Sequence, residues 1–274
     1  MTAAAATIPD DVIYIPDVAS TRFYIGALAK LSVLQYFVAE AAVIGAWAGP
    51  EPYSRRTGLI SDLGARGCGV FQSRDVCSPA HVLMNASFVV QGLGMVIGAL
   101  LLGSALLCLA ARPGGRIARG PGHGPGQGPG LRTPRTAGVA AAVAARVLTG
   151  AAGSGTVIVG LVPEDAGSVW HGVGAVMYFA AGALALLVLG CLWLRQTPLG
   201  WFVLACGALS LGALITGGLT GMHVPEPGTL ERLMGYPITV GLAAVGLVIA
   251  QRVRQERVAR KAQKARQARK ALKA

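Results

Sequence analysis

The sequence predicts an all-α integral membrane protein, a bundle of six transmembrane helices with both termini in the cytoplasm. Of its 274 residues, 53% are hydrophobic and 13% are charged, whereas soluble domains carry about 25% charged residues. A membrane span needs roughly 20 consecutive, mostly apolar residues. Six stretches meet this requirement: residues 26–47, 79–109, 137–162, 172–194, 199–222 and 230–250. The sixth is apolar without interruption only from Pro237, so it must include Glu231 and Arg232 to cross the bilayer.

Basic residues predict the orientation of these spans, because cytoplasmic loops carry an excess of Lys and Arg. The segment 112–135, rich in Gly and Pro, contains five arginines and no acid, and it reads as a flexible linker. Ten Lys or Arg and one acid, Glu256, lie between residues 252 and 273. We therefore expect a cytoplasmic leader at 1–25, a transmembrane domain at 26–250 with a cytoplasmic linker at 112–135, and a basic cytoplasmic tail at 251–274.

The net charge of +12 belongs mostly to that tail. A basic run beside a bilayer is attracted to anionic lipid by about 1 kcal/mol per residue. We therefore expect membrane lipids as partners, with anionic lipid at the tail, and no nucleic acid. The glycine pairs Gly94–Gly98 and Gly217–Gly221 suit close helix packing inside the bundle or at a dimer face, so the sequence leaves a homo-oligomer open.

The loops predicted to face outward carry a distinctive set of polar motifs. They are Tyr53-Ser54 followed by Ile60-Ser61-Asp62-Leu63-Gly64, the turn Gly160-Leu161-Val162-Pro163-Glu164-Asp165, and His171-Gly172, with Asn85 in the second span. In this order they resemble the domain of unknown function 998 family of six-helix prokaryotic membrane proteins, which is distantly similar to FRAG/DRAM/Sfk-like proteins. The resemblance implies the fold and a multi-pass protein of the bacterial cytoplasmic membrane, but it brings no established reaction.

The same motifs suggest a polar pocket at the outward mouth of the bundle. Asp62, Asp165 and His171 come from separate segments that the topology returns to one membrane face, with Asn85 below and Arg232 at the rim. Such convergent polar groups are candidates for binding or catalysis. The alternative is that Ser61 and Asp62 are cap residues in a structured turn that Gly64 makes possible.

Charges that fall inside the predicted spans include Glu40 on the first and Arg146 on the third. Intramembrane charges are costly and are normally paired or functional. We expect Arg146 to reach Glu40 or Asn85 in a structural pair. The alternative is a polar cavity with Asn85 and Gln91 on its wall.

Histidines and cysteines suggest two further sites. His81, His171 and His223 lie at similar depth near carboxylates, which permits a metal site, although no local ligand spacing supports one and interfacial histidines are common. Cys68 and Cys77 share one outward loop and are a candidate disulfide. Cys108, Cys191 and Cys206 read as small core residues.

Three function classes remain. The first is a protein that binds a lipid headgroup or a partner through its outward pocket. The second is an enzyme that acts on a lipid or prenyl chain, with Asp62, Asp165 or His171 as acid or base; a prenyl cyclase is disfavoured because it needs an aromatic-lined cavity and only 6% of residues are aromatic. The third is a small-solute transporter. No nucleotide-binding, zinc-protease or serine-hydrolase motif occurs, so no cofactor is predicted.

Overall fold

The computed structural model describes residues 17–110 and 136–272, and it confirms the predicted all-α membrane fold. Within these residues six helical segments are long and apolar enough to cross a membrane. We number them as spans one to six: Thr21–Gly45, His81–Leu101, Ala137–Leu161, Val169–Trp193, Leu199–Thr220 and Pro227–Ala271. The linker at 112–135 and most of the leader lie outside the described residues, and the orientation of the termini stays a prediction.

Two of these spans, one and four, are built from more than one helix. The elements in chain order are α1 Thr21–Leu31, α2 Gln35–Gly45, α3 His81–Leu101, α4 Ser104–Leu109, α5 Thr136–Leu161, α6 Val169–Val176, α7 Gly182–Trp193, α8 Leu199–Thr220 and α9 Pro227–Ala271. A 3₁₀ turn, Ser32–Leu34, joins α1 to α2, and a π-helical turn, Met177–Ala181, joins α6 to α7. The loop after span one holds the 3₁₀ turn Ser61–Gly64 and an antiparallel hairpin of β1 Gly69–Phe71 and β2 Arg74–Val76.

Two helix ends differ from the sequence prediction. The second span was expected to reach residue 109, but α3 ends at Leu101 because Leu102 and Gly103 adopt extended backbone before α4 begins. The sixth helix was expected to end near 250, yet α9 continues to Ala271. Its last third consists largely of Ala, Arg, Lys and Gln, which are strong helix formers, and it contains no Gly or Pro to stop it.

The spans pack in chain order around a ring that span six closes against span one. Glycines allow helices of neighbouring spans to pack closely. A Cβ at Gly153 of span three would lie 2.7 Å from the Gly92 carbonyl oxygen of span two. Gly94 and Gly98 face span one in the same way, against Ala29 and Lys30. These small residues therefore serve contacts within the bundle.

The loops at one end of the ring form the face that positions the candidate site. We call this end the loop face, defined by residues 46–80, 162–168 and 221–226, and we call the opposite end the tail face. On the tail face the Trp193 indole donates to the Leu107 carbonyl at 2.7 Å, and Arg260 of α9 pairs with Asp17 at 2.5 Å. The charge pattern of the sequence predicts that the loop face is the outward one.

Candidate functional site

Arg232, five residues into α9, lies at the centre of a buried hydrogen-bond cluster beneath the loop face. It is 6% exposed, and its guanidinium donates to Glu40 Oε1 from both Nε and Nη2, at 3.1 and 2.8 Å. Its Nη1 is surrounded by the carbonyl oxygens of Arg55, Gly58 and Gly228. The carboxylate is held in turn by Tyr236, whose hydroxyl donates to Glu40 Oε2 at 2.5 Å. The charge is thus fully paired inside the protein.

Tyr53 joins this cluster to the loop that follows span one. Its hydroxyl accepts from Arg232 Nη2 at 2.7 Å and donates to the Leu59 carbonyl at 2.6 Å. Burial raises the pKa of Tyr53 well above its ordinary value, so the phenol stays neutral and keeps both roles. The cluster therefore fastens the 53–60 loop to the first and last spans.

The expected pairing of Arg146 with Glu40 or Asn85 is not formed. Arg146 Nε donates to the Ala99 carbonyl at 2.9 Å and Nη1 to Ser104 Oγ at 3.2 Å, near the end of α3. Glu40 instead pairs with Arg232, which is buried rather than at the rim. Glu40 and Arg232 can pair because they lie at the same distance from the loop face. Glu40 precedes the end of α2 by five residues, and Arg232 follows the start of the antiparallel α9 by five.

Asp62 and Asp165 organise the loop face. Asp62, 2% exposed, accepts from the Leu59 N–H at 2.9 Å and from the Arg74 guanidinium on both oxygens. Arg74 also reaches Glu164 at 3.2 Å. Asp165 Oδ2 accepts from the backbone N–H groups of Arg66 and Gly67 at 2.8 and 2.9 Å. These carboxylates tie the hairpin and the loop after span three to the Ser61–Gly64 turn, whose N-cap residue, Ile60, makes no side-chain capping hydrogen bond.

The Ser61–Gly64 turn is fixed from below and from the side. Asn85 Nδ2 donates to the Gly64 carbonyl at 2.9 Å, and Ser78 Oγ donates to the Leu63 carbonyl at 2.7 Å. Cys68 and Cys77 form a disulfide that closes the hairpin beside it. The turn is therefore a rigid cover over the bundle interior.

The three histidines at this face each contact a backbone carbonyl through Nδ1. His81 contacts Ser78, His223 contacts Thr220, and His171 contacts Val162 at 2.7 Å. Among the residues that the structure describes, no group of three or more His, Cys, Asp or Glu is placed to hold a metal ion. The geometry of these histidines is that of turn-capping side chains.

Beneath the Ser61–Gly64 turn lies a cavity of about 50 Å³ between spans one, two, three, four and six. Five aromatic rings border it, those of Tyr36, Phe88, Tyr178, Phe179 and Tyr236. Ser61 and Ile60 cover it from the loop face. His171 and Glu231 lie on its wall beside this cover.

A polar group of three side chains lies deeper in the cavity wall. Gln91 Nε2 donates to Thr239 Oγ1 at 2.9 Å, and the Tyr178 hydroxyl donates to the Gly235 carbonyl at 3.1 Å. Gln91 is 2% exposed, yet its Oε1 accepts no hydrogen bond from any residue that the structure describes. Glu231 is similar, because its Oε2 accepts the Ile60 N–H whereas no described group donates to Oε1. The cavity thus presents unused acceptors.

Span four packs unevenly along its length. Above the π-helical turn, α6 packs against α5, whereas α7 below the turn packs against α5, α8 and α9. Within the described chain α6 has no comparable packing against α8 or α9. A π-helical turn widens a helix locally and is frequent at functional sites. The cavity therefore borders α6, the part of span four that lacks comparable packing against span six.

Of the five residues predicted to form the pocket, only His171 borders this cavity. Asp62, Asn85, Asp165 and Arg232 lie in the cover or behind the wall. Glu231, Tyr178 and Thr239 were not identified from the sequence. Glu231 carried one usable signal, a carboxylate next to an arginine within a span, whereas single Tyr and Thr residues in apolar helices carry none.

Comparison with known proteins identifies one family. Residues 130–248, less than half of the chain, match the family model described as Protein of unknown function (DUF998). This confirms the resemblance to the domain of unknown function 998 family, while the similarity to FRAG/DRAM/Sfk-like proteins stays a prediction. No curated protein and no solved structure gives a significant match.

Proposed function

We propose, from the premise that residues 130–248 belong to the domain of unknown function 998 family, that this multi-pass membrane protein binds an amphipathic lipid. The polar end of the lipid enters the cavity beneath the Ser61–Gly64 turn, and its chain leaves between α6 and α9. This keeps the headgroup-binding interpretation and moves the site from Asp62 and Asp165 to the cavity. The membrane is that of a bacterial cell, with the loop face outward.

The observation that carries the proposal is the cavity itself. Ligand sites are concave and mostly apolar with a few convergent polar groups, and Glu231, His171 and Gln91 supply these groups here. One water needs about 10–15 Å³ of such volume, so about 50 Å³ accepts only three or four ligand atoms. A larger ligand must extend out of the cavity, and we propose that it does so beside α6.

The basic tail is a second lipid contact in this proposal. From the predicted membrane end at residue 250, Arg257 lies about 10 Å along α9 and Lys270 about 30 Å, at 1.5 Å per residue. The Debye length at physiological salt is about 8 Å. If α9 leaves the membrane steeply, only its first basic residues, up to about Arg257, gain attraction from anionic headgroups.

The test is lipid co-purification with one variant that fills the cavity and one that does not. Ala175→Phe places a ring in the cavity wall, whereas Gly212→Phe places the same ring on the exposed side of α8, where nothing lies within 4 Å of an added Cβ. After purification in a mild detergent, lipids are extracted and identified by mass spectrometry.

We expect wild type and Gly212→Phe to retain a lipid species enriched over the bulk membrane extract, and Ala175→Phe to lose it. Thermal unfolding and gel filtration of all three proteins control for folding. Identical lipid profiles in the three folded proteins would refute the proposed function.

A further inference from the structure

We infer that the group held in the cavity is a primary ammonium, bound by Glu231 Oε1 against the surrounding aromatic rings. This rests on the proposed function and names the class of its ligand, an amphiphile with one primary amine at its polar end. Three properties of the cavity wall support it: a carboxylate without an ion pair among the described residues, a set of aromatic rings, and hydrogen-bond acceptors that lack a donor.

The carboxylate of Glu231 differs from its neighbours in lacking a cation. Among the described residues, Glu40 pairs with Arg232, and both Asp62 and Glu164 pair with Arg74. Glu231 has no ion pair there, and no Lys or Arg borders the cavity. A carboxylate held away from water is costly until a cation matches it. The cavity is therefore suited to a ligand that brings its own positive charge.

The aromatic rings that border the same cavity favour the same ligand. Tyr36, Phe88, Tyr178, Phe179 and Tyr236 border a space of about 50 Å³. Cations are attracted to the faces of such rings, and this attraction grows when water is excluded. An anionic phosphate or carboxylate head would meet Glu231 with the same sign of charge and no cationic partner.

Hydrogen-bond acceptors in the cavity wall that lack a donor favour a primary ammonium over a quaternary one as the ligand's head. Gln91 Oε1 lacks a donor, and the buried Tyr36 hydroxyl has no hydrogen-bond partner within the described part of the chain. His171 Nδ1 donates to the Val162 carbonyl at 2.7 Å on the same wall. An NH₃⁺ group offers three N–H donors, whereas a trimethylammonium offers none. A primary ammonium and its first carbons also match a volume of three or four atoms.

The experiment compares four amphiphiles with the same chain and different heads: hexadecylamine, hexadecanol, hexadecanoate and hexadecyltrimethylammonium. The full chain is reconstituted in phosphatidylcholine nanodiscs, and binding of each probe is measured above that of empty nanodiscs. Glu231→Gln removes the charge but keeps an oxygen for the Ile60 N–H. Glu51→Gln, on the exposed part of the loop face, is the matched control.

We expect wild type to bind hexadecylamine about tenfold or more tightly than the other three probes. Glu231→Gln should lose that preference while binding hexadecanol as wild type does, and Glu51→Gln should retain it. Equal binding of amine and alcohol, or an unchanged preference in Glu231→Gln, would overturn the ammonium assignment. If Glu231→Gln fails to fold, the ranking of the four probes on wild type decides.

The design separates this inference from the proposed function. A wild-type protein that binds the alcohol as well as the amine, with both blocked by Ala175→Phe, keeps the cavity as a lipid site and removes only the ammonium. Saturable binding of none of the four probes, with lipid profiles unaffected by Ala175→Phe, removes both.

Discussion

At the scale of single residues, Arg232 connects the loop face to the bundle. Its guanidinium contacts Glu40 of span one, the Tyr53 hydroxyl and the carbonyl oxygens of Arg55 and Gly58. Removing one partner of a buried, hydrogen-bonded ion pair leaves the other charge uncompensated, which costs about 3–5 kcal/mol. This cluster holds in place the loop that covers the cavity.

Arg232→Met is therefore expected to lower the free energy of unfolding by about 3–5 kcal/mol, seen as a fall in the midpoint of thermal unfolding in detergent. The double variant Glu40→Gln with Arg232→Met should lose less than the sum of the single changes, since it leaves no buried charge unpaired. Arg56→Met, from the exposed pair with Glu226, is the control and should unfold at the wild-type temperature. Purely additive effects of the Glu40 and Arg232 changes would contradict the pairing.

Sequence reasoning located Glu40 and Arg232 but did not pair them. Glu40 was matched with Arg146, whereas the ring places span one next to span six. The hydropathy of each span does not predict which helices pack against one another, because that depends on the tertiary structure. The aromatic residues show the same limit, because 6% of the chain is a small fraction but five of those rings border one cavity.

At the scale of elements, the contact between spans two and three depends on glycine. An added Cβ at Gly153 would meet the Gly92 oxygen at 2.7 Å and the Met95 Cβ at 2.9 Å. One turn earlier on the same helix, a Cβ at Gly150 would lie 3.8 Å from the nearest atom, an ordinary contact. Both residues lie on α5, so the two positions differ mainly in the space available.

Gly153→Ala should destabilise the protein by about 1–3 kcal/mol, because the helices must separate to admit the methyl group. Gly150→Ala should be neutral or slightly stabilising, since Ala is the better helix former. Thermal unfolding of the two variants beside wild type measures the difference. A Gly153→Ala variant as stable as Gly150→Ala would show that α3 and α5 do not approach as closely as described.

The disulfide restricts the motion of one element, the hairpin of β1 and β2. Cys68 and Cys77 flank it, and Arg66 and Arg74 are trypsin sites in the same loop. Reduction should speed tryptic cleavage at these arginines several-fold while the bundle remains folded, because the cross-link restricts the open states of the loop. Cys68→Ser with Cys77→Ser should be cleaved quickly with or without reductant. Cleavage rates that do not respond to reduction in the wild type would argue against the bridge.

The spans were predicted more accurately than their ends. Long apolar runs identify the spans because the bilayer requires about 20 apolar residues whatever their order. The break after Leu101 and the extension of α9 to Ala271 depend on local backbone and on helix propensity outside the membrane. The π-helical turn at Met177–Ala181 has no pattern in the sequence that distinguishes it from α-helix.

At the scale of the whole molecule, we expect the loop face to lie outside the cell and the end of α9 to lie inside it. Thr57 is exposed on the loop face and Lys264 is exposed on α9 beyond the tail face. In a background with Cys108, Cys191 and Cys206 replaced by Ala, Thr57→Cys should react with a membrane-impermeant maleimide in intact cells. Lys264→Cys should react only after permeabilisation. Labelling in the reverse order would overturn the orientation that the basic residues predict.

We propose that the cavity beneath the Ser61–Gly64 turn holds the polar end of an amphiphile whose chain passes between α6 and α9. Photo-crosslinking tests it most directly, using hexadecylamine with a diazirine near its polar end and peptide mapping by mass spectrometry. We expect crosslinks to α6 and the π-helical turn, around Ala175 and Phe179, and to α9 around Gly235 and Thr239, all lost in Ala175→Phe. Crosslinks confined to the lipid-exposed side of α8, or unaffected by Ala175→Phe, would contradict it.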